Sequence, residues 1–521
     1  MDFSPHIYSA IPLGLVLLGV LYVRSIVEWR ARSRGRPLPP GPPSLPLVGN
    51  LFNIPGERAW FAFHDLTAQY GDIIHFRILG RSTIILGNPE VIRECLEKRA
   101  ANTSDRPQVP VIELLGQDAN FGFMPYGQKW RRYRRRFWQH FTARAIEQYQ
   151  PVQRAVAHQF LVRLLDNPSG IREHIRYTFL AALLKNVYGI GLTEDHSKYA
   201  VTFDVSSEGV QQGLVPGKYL VDLFPFLRHV PKWVPGFAWQ ADFERWRGAA
   251  CDVRNVPFAS TKEAMARGEG LESMVAKTLA LEGTSEEAQE DLEDVAKGIG
   301  FVSYAAGADT SFIAFQSFFL AMAMHPEAQK KAQAELDAVV GPGRMPDFSD
   351  WKSLVYVDAL IKEVLRWHTV APLGLAHCTT ADDELNGYFI PAGTILLPNI
   401  WACMHDPALY EDPDEFRPER FIRDGKPDPS VQDPLVFVFG FGRRICPGRH
   451  YAEAAQFINV ASVLHVFDIT PPLDADGRPI ALDHRMTPGF ISYAEDARCT
   501  IKPRSAEAST LIKAHAQALH A

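Results

Sequence analysis

Residues 437–450 read Phe-Val-Phe-Gly-Phe-Gly-Arg-Arg-Ile-Cys-Pro-Gly-Arg-His, and they constrain the fold more than any other stretch of this chain. Gly440, Gly442 and Gly448 surround one cysteine, Cys446, and Pro447 follows it. Glycine lets successive backbone amides turn toward one point, and proline stiffens the far side of the loop. A helical pattern resumes at Ala452, so Cys446 stands just ahead of a helix N-terminus, whose positive dipole end steadies a thiolate. Donors around the sulfur make it less basic and less easily oxidised, as a thiolate metal ligand requires. The plain alternative is a glycine-rich turn with a buried cysteine.

The rest of the chain does not break into separate units. It has 521 residues, 46% hydrophobic and 22% charged, with no long linker or low-complexity tract, which favours one large core or two lobes sharing one. Its 54 basic and 60 acidic residues leave a formal charge of −6, which argues against a nucleic-acid partner. Cys95, Cys251, Cys378, Cys403 and Cys499 form no C-x-x-C pair, with each other or with Cys446. They are read as small buried apolar residues in a reducing compartment, not as a disulfide framework or zinc site.

Ile7 to Val23 is nearly all apolar, continued past Arg24 by Ile26 and Val27, and Arg30, Arg32, Arg34 and Arg36 follow. A run of ~17–25 residues is enough to span a bilayer. The basic flank places the bulk of the chain on the cytosolic side. A cleaved signal peptide would need a basic segment before the run, and there is none. Residues 1–27 are therefore expected to be a single-pass anchor. Residues 28–49 form a basic and proline-rich hinge, stiffened by Pro37-Leu38-Pro39-Pro40-Gly41-Pro42-Pro43, and residues 50–521 form the catalytic domain.

Coarse patterning predicts a mainly α fold with small β-sheets, an α+β arrangement. Residues 73–78 and 82–86 read as a hairpin around Gly80-Arg81, and Asn88-Pro89-Glu90 opens a helix over Val91 to Lys98. Helical periodicity dominates from Phe141 to Leu320. Short strands are expected near 388–390, 394–397 and 489–494.

The cysteine block resembles the haem-binding signature of cytochromes P450, F-x-x-G-x-R-x-C-x-G, with Phe439, Gly442, Arg444, Cys446 and Gly448 at every fixed position. The resemblance implies the fold of that family, with haem b between a long central helix and the cysteine loop. It implies Cys446 as axial ligand of the haem iron, Phe439 packed on the loop and Arg444 paired with a haem propionate. A tyrosine, Tyr451, follows His450 where the family often has a smaller aliphatic residue.

Other blocks occur in the same order over roughly residues 37 to 500. Residues 306–311, Ala-Gly-Ala-Asp-Thr-Ser, lie in a helix expected from about Asp291 to Met324 and look like the family's oxygen-activation motif. Small residues there predict a local opening of the helix, with Asp309 and Thr310 as an acid–alcohol pair that delivers protons. Glu363 and Arg366 share a helix face. The resemblance joins them to Arg420 in a structural ion network. It also gives Trp130 and Arg134 the role of propionate donors, with His377 as a third. The neighbouring arginines of that helix, Arg131, Arg132, Arg135 and Arg136, are either a docking face for an acidic reductase or a solvated face.

The function implied is a monooxygenase that uses O2 and electrons from an NADPH-cytochrome P450 reductase, anchored in the endoplasmic reticulum membrane with its catalytic domain cytosolic. Phe121, Tyr304, Ala306, Ala371, Leu375 and Phe490 are candidate pocket residues and suggest an apolar small-molecule substrate, a terpenoid or polyketide intermediate of secondary metabolism. Detoxification of foreign aromatics is a second reading. A reductase-independent haem-thiolate peroxide isomerase or dehydratase, and a non-catalytic haem sensor, are the others. The Asp309–Thr310 pair argues against both of these last two.

Overall fold

The structure is a computed structural model and describes residue 20 and residues 23–192, 196–215, 217–281 and 286–520. The apolar run expected to anchor the chain, Ile7 to Val23, lies almost wholly outside the described residues. Among the described residues no helix is long and apolar enough to cross a membrane.

The architecture is mainly helical with minor sheets. Eight helices matter for the site: α1 (Gln128–Phe141), α2 (Gln150–Asp166), α3 (Ile171–Leu183), α4 (Ser197–Gly213), α5 (Trp239–Ala266), α6 (Glu286–Met324), α7 (Val355–Trp367) and α8 (Arg449–Val466). α6 runs through the middle of the molecule. Its Phe312, Phe315, Phe318 and Phe319 pack against Phe160 of α2, Phe179 of α3 and Phe457, Ile458 and Ala461 of α8 in the largest core cluster. These four rings lie within about a third of the circumference of α6, and burying them stabilises the seat of that helix. α8 is buried almost all round from Ala454 to Val466, so the cysteine loop at its N-terminus is held by the core itself.

The main sheet contains β1 (Ile73–Ile78), β2 (Arg81–Leu86), β3 (His377–Cys378) and β4 (Ile395–Pro398) in the order β1-β2-β4-β3. Leu79 and Gly80 both have positive φ, 47° and 84°, the two-residue turn that matches strand twist, so the second strand starts at Arg81. Asn88 caps the next helix, its side chain accepting the Val91 N–H at 2.9 Å. The strand expected over 489–494 is not one. The Ser492 N–H is taken by Val370 O at 2.9 Å and the Tyr493 carbonyl by the Thr487 N–H at 2.8 Å, so this apolar run is a looped wall with one isolated bridge, Met486 to Ala494.

Candidate active site

The cysteine loop is tied before its chemistry is considered. Cys446 N–H donates to Phe439 O at 2.7 Å, closing the turn. Gly442 has φ 54°, and a Cβ there would lie 2.3 Å from Leu96 O, so both the backbone conformation and the close approach require glycine. Gly448 caps α8, which starts at Arg449. Burial pushes the Cys446 thiol up, while the Gly448 N–H and the Arg134 and Arg449 charges favour the thiolate.

A cavity of about 380 Å³ lies between this loop and α6. Its wall includes Cys446, Phe439, Gly448, Arg444, Trp130, Arg134 and His377 on one side, and Ala306, Asp309 and Thr310 on the other. Phe121, Ala371, Leu375 and Phe490 also line it. Tyr304 does not: it is fully buried between Tyr188 and Phe203, one face of α6 away from the cavity. Its position two residues before Ala306 turns it about 200° around the helix axis from that residue.

Three guanidiniums meet at the cavity, and among the described residues no carboxylate is hydrogen-bonded to any of them. Arg444 donates to the carbonyls of Ser104, Phe121 and Met124 at 2.7, 3.3 and 2.8 Å. Arg106, which no motif singles out, donates to Gly122, Leu375 and Ala376 carbonyls at 3.0, 3.0 and 2.7 Å. Arg134 donates to Ile445 O. Burial lowers all three, Arg134 and Arg444 to about 10, and Arg106 is lowered further by Arg444. The Trp130 Nε1–H has no partner among the described residues, and its ring lies 4.4 Å from the Arg444 guanidinium carbon. His377 Nδ1 bonds Thr103 O at 2.8 Å, and burial keeps the ring neutral. Buried cations facing a void that Cys446 also lines, with a spare indole donor beside them, fit a doubly anionic group. Haem, with its two propionates, is such a group.

The acid and the alcohol on α6 do not meet. Asp309, 4% exposed, accepts Arg176 Nη1 at 2.9 Å, Tyr493 Oη at 2.5 Å and the Ser207 hydroxyl. Thr310 donates its hydroxyl to Ala306 O at 2.9 Å, one turn back. Consecutive helical residues point ~100° apart, so adjacency in sequence separates their side chains. The helix is continuous through Ala306 to Thr310, and the expected opening is not present.

Glu363 is fully buried and accepts Arg366 Nε and Nη2 at 2.8 and 2.9 Å, Arg420 Nε at 3.1 Å and the Arg417 N–H at 2.8 Å. Arg366 also donates to Met404, Pro413 and Glu415 carbonyls, so the network pins the chain between residues 404 and 420 to α7. It is not a solvated pair. Arg106, Arg176, Ser207 and Tyr493 carry no signal in the sequence, because each acts through partners more than 100 residues away or through loop carbonyls.

The family model described as Cytochrome P450 matches residues 39–488. Cytochrome P450 monooxygenase COX2 of Coprinopsis cinerea is 37% identical over 518 residues, covering 99% of this chain and 97% of that protein. Cytochrome P450 monooxygenase 208 of Postia placenta is 39% identical over 512 residues, 98% of both chains. Tryptamine 4-monooxygenase of Psilocybe cyanescens is 36% identical over 504 residues, 95% of this chain and 98% of the other.

Proposed function

This chain belongs to the cytochrome P450 family, and on that premise we propose that it oxidises an apolar intermediate of secondary metabolism, a terpenoid or polyketide. It is a haem-dependent monooxygenase that uses O2 and NADPH-derived electrons delivered by a cytochrome P450 reductase. The observation that carries the substrate reading is the cavity wall, where Phe121, Phe123, Val302, Leu375, Phe490 and Ile491 give a hydrocarbon surface above the cysteine loop. Expression in a host supplying the reductase, with product profiling against terpenoid and polyketide intermediates, tests it. Turnover confined to foreign aromatics would favour detoxification instead.

In this reading the Cys446 sulfur would ligate the haem iron. Trp130, Arg134 and Arg444 would hold the propionates, and Arg106 would add a further charge at the same wall; His377, its Nδ1–H spent on Thr103 O, would join them only with a second proton on Nε2. The bound haem supplies the O2 activation that inserts one oxygen atom into substrate. Gly442, Gly448 and Phe439 shape the loop that presents the Cys446 sulfur. Glu363, Arg366 and Arg420 fix the backbone that packs against it. Thr310 holds a proton-carrying water at the cavity wall through its hydroxyl oxygen. Asp309 accepts from Arg176, Ser207 and Tyr493, so it can turn toward the cavity to relay a proton only by giving up one of these three contacts.

Residues 1–27 serve as a single-pass anchor in the endoplasmic reticulum membrane, 28–49 as the hinge and 50–521 as the cytosolic catalytic domain. The apolar run at Ile7 to Val23 before five arginines supports this. So do the exposed Leu47, Phe52, Leu220, Phe226 and Trp233, since Gly217 packs on Ile54 and draws these two stretches together.

A further inference from the structure

The cavity is apolar over most of its surface, and its polar side chains are mostly partnered. One pair is not. Gly122 N–H donates to Asn120 Oδ1 at 2.9 Å. A backbone N–H can only donate, so this contact fixes which end of the Asn120 amide is oxygen. Asn120 Nδ2 then donates to Gln117 Oε1 at 3.0 Å, which fixes Gln117 in turn. What remains of Gln117 is its NH2 group. Gln117 is 2% exposed and lines the cavity, and its Nε2 has no partner among the described residues while staying accessible from the void.

Ser206 on α4 is the second. It is 6% exposed and lines the same cavity. Thr202 on its own helix and Ser303 on α6 return their hydroxyls to the carbonyl one turn back, at 3.0 and 2.7 Å. Ser206 makes no such bond, and its hydroxyl also stays accessible. The loop carrying Gln117 lies along α4, because Leu115 fills the notch at Gly213, where a Cβ would sit 2.7 Å from it.

A buried donor with no acceptor is unfavourable unless something else satisfies it. We infer that Gln117, with Ser206, binds a hydroxyl or carbonyl oxygen on an otherwise apolar substrate, so that the enzyme selects an already oxygenated molecule over the parent hydrocarbon. This deepens the monooxygenase reading and rests on it. It also places the enzyme after a reaction that installs oxygen, either an earlier hydroxylation or a carbonyl-forming condensation.

Two matched pairs probe this: limonene with its ketone carvone, and valencene with its ketone nootkatone. Titration of the haem-loaded, full-length protein, followed by calorimetry, gives the dissociation constants. Gln117→Leu is expected to weaken binding of the ketones by about 3–10-fold, the worth of one hydrogen bond, and to leave the hydrocarbons within about twofold. Ser206→Ala should weaken the ketones in the same direction and by less. A Gln117→Leu variant in which ketone and hydrocarbon change alike overturns the inference, as does a wild-type protein that binds neither ketone. The carbon monoxide spectrum of the reduced wild-type protein reads the Cys446 ligand separately, so the two readings fail by different signals.

Discussion

Arg176 donates through Nη1 to Asp309 at 2.9 Å and reaches Asp204 through Nε at 3.1 Å, so one guanidinium joins a half-exposed carboxylate to one buried at the cavity wall. Burial works against the Arg176 charge, and Asp309 followed by Asp204 outweighs it and raises the pKa. Removing one member of such a pair strands the other without a counter-charge. Arg176→Met should therefore cost about 3–5 kcal/mol in urea unfolding, and Arg176→Met with Asp309→Leu should recover most of it. A single variant that loses less than ~1 kcal/mol would make the pair no stronger than a surface contact.

Cys446→Ala should fold and lose the far-red-shifted Soret band of the reduced, carbon-monoxide-treated protein. The motive is the convergence of the Gly448 N–H and the Arg134 and Arg449 charges on one sulfur beside the cavity. Circular dichroism checks the fold. A variant that keeps the band has another ligand, and the assignment of Cys446 falls.

Much of this site could be read from the chain because its chemistry is local. Five fixed positions in ten residues define the cysteine loop, and i,i+3 spacing puts Glu363 and Arg366 on one face. Adjacency misleads where a helix intervenes: Asp309 and Thr310 are neighbours in sequence and diverge in space, and Tyr304 faces a core of aromatic rings. Residues 489–494 are a short apolar run like a strand, yet their hydrogen bonds go to Gln211, to Val370 and to their own loop. Arg106 and Gln117 sit in irregular segments with no period to reveal which way they point. Their roles depend on carbonyls and amides brought together by the fold.

Stability should fall with acid in a defined window. Burial drives His368 down to about 4, His405 to about 3 and His484 to about 2. His368 Nε2–H donates to Ser492 O at 2.9 Å, which leaves its Nδ1 to accept from His484 Nε2 at 3.1 Å. Unfolded histidines titrate near ~6.5. Between there and about pH 4 the unfolded state binds protons that the folded state does not, so stability rises with pH and is lost as pH falls. His484→Phe keeps the stack on Trp367, whose ring lies 3.6 Å away. Urea midpoints from acid to neutral pH should show about one proton fewer taken up on unfolding. Parallel curves for variant and wild type would mean that His484 is already charged.

The basic face of α1 is not uniform. Arg132 is paired with Asp291, and Arg131 lies over the Tyr126 ring at 5.5 Å. Arg135 is exposed, with no ion pair among the described residues. A free charge steers an acidic partner better than one already neutralised. Arg135→Ala should raise the apparent KM for reductase more than Arg132→Ala, with haem content unchanged and the difference shrinking as salt rises. Equal effects would assign the contact to the fold of α1 and not to its free charge.

Thr310 gives its proton to Ala306 O at 2.9 Å, so what it offers the cavity is the lone pairs of its oxygen. An acceptor at that place takes one hydrogen of a water and leaves the other free for the reacting oxygen, so the water carries the proton. Thr310→Val removes the oxygen and keeps the shape, whereas Thr310→Ser keeps the oxygen. Both should load haem and consume NADPH. Thr310→Val should yield less product per NADPH and correspondingly more free hydrogen peroxide, and Thr310→Ser should stay near wild type. Positioned proton transfer contributes ~10²–10⁴-fold, and a second water can stand in for the hydroxyl, so the loss should sit at or below the low end of that range. The ratio of product to NADPH discriminates better than the rate, because a packing role for Thr310 lowers the amount of loaded protein and leaves coupling in the remainder unchanged. A fully loaded Thr310→Val with unaltered coupling would take Thr310 out of proton delivery. The relay would then fall to Asp309, which can turn to the cavity only if Arg176, Ser207 or Tyr493 lets it go.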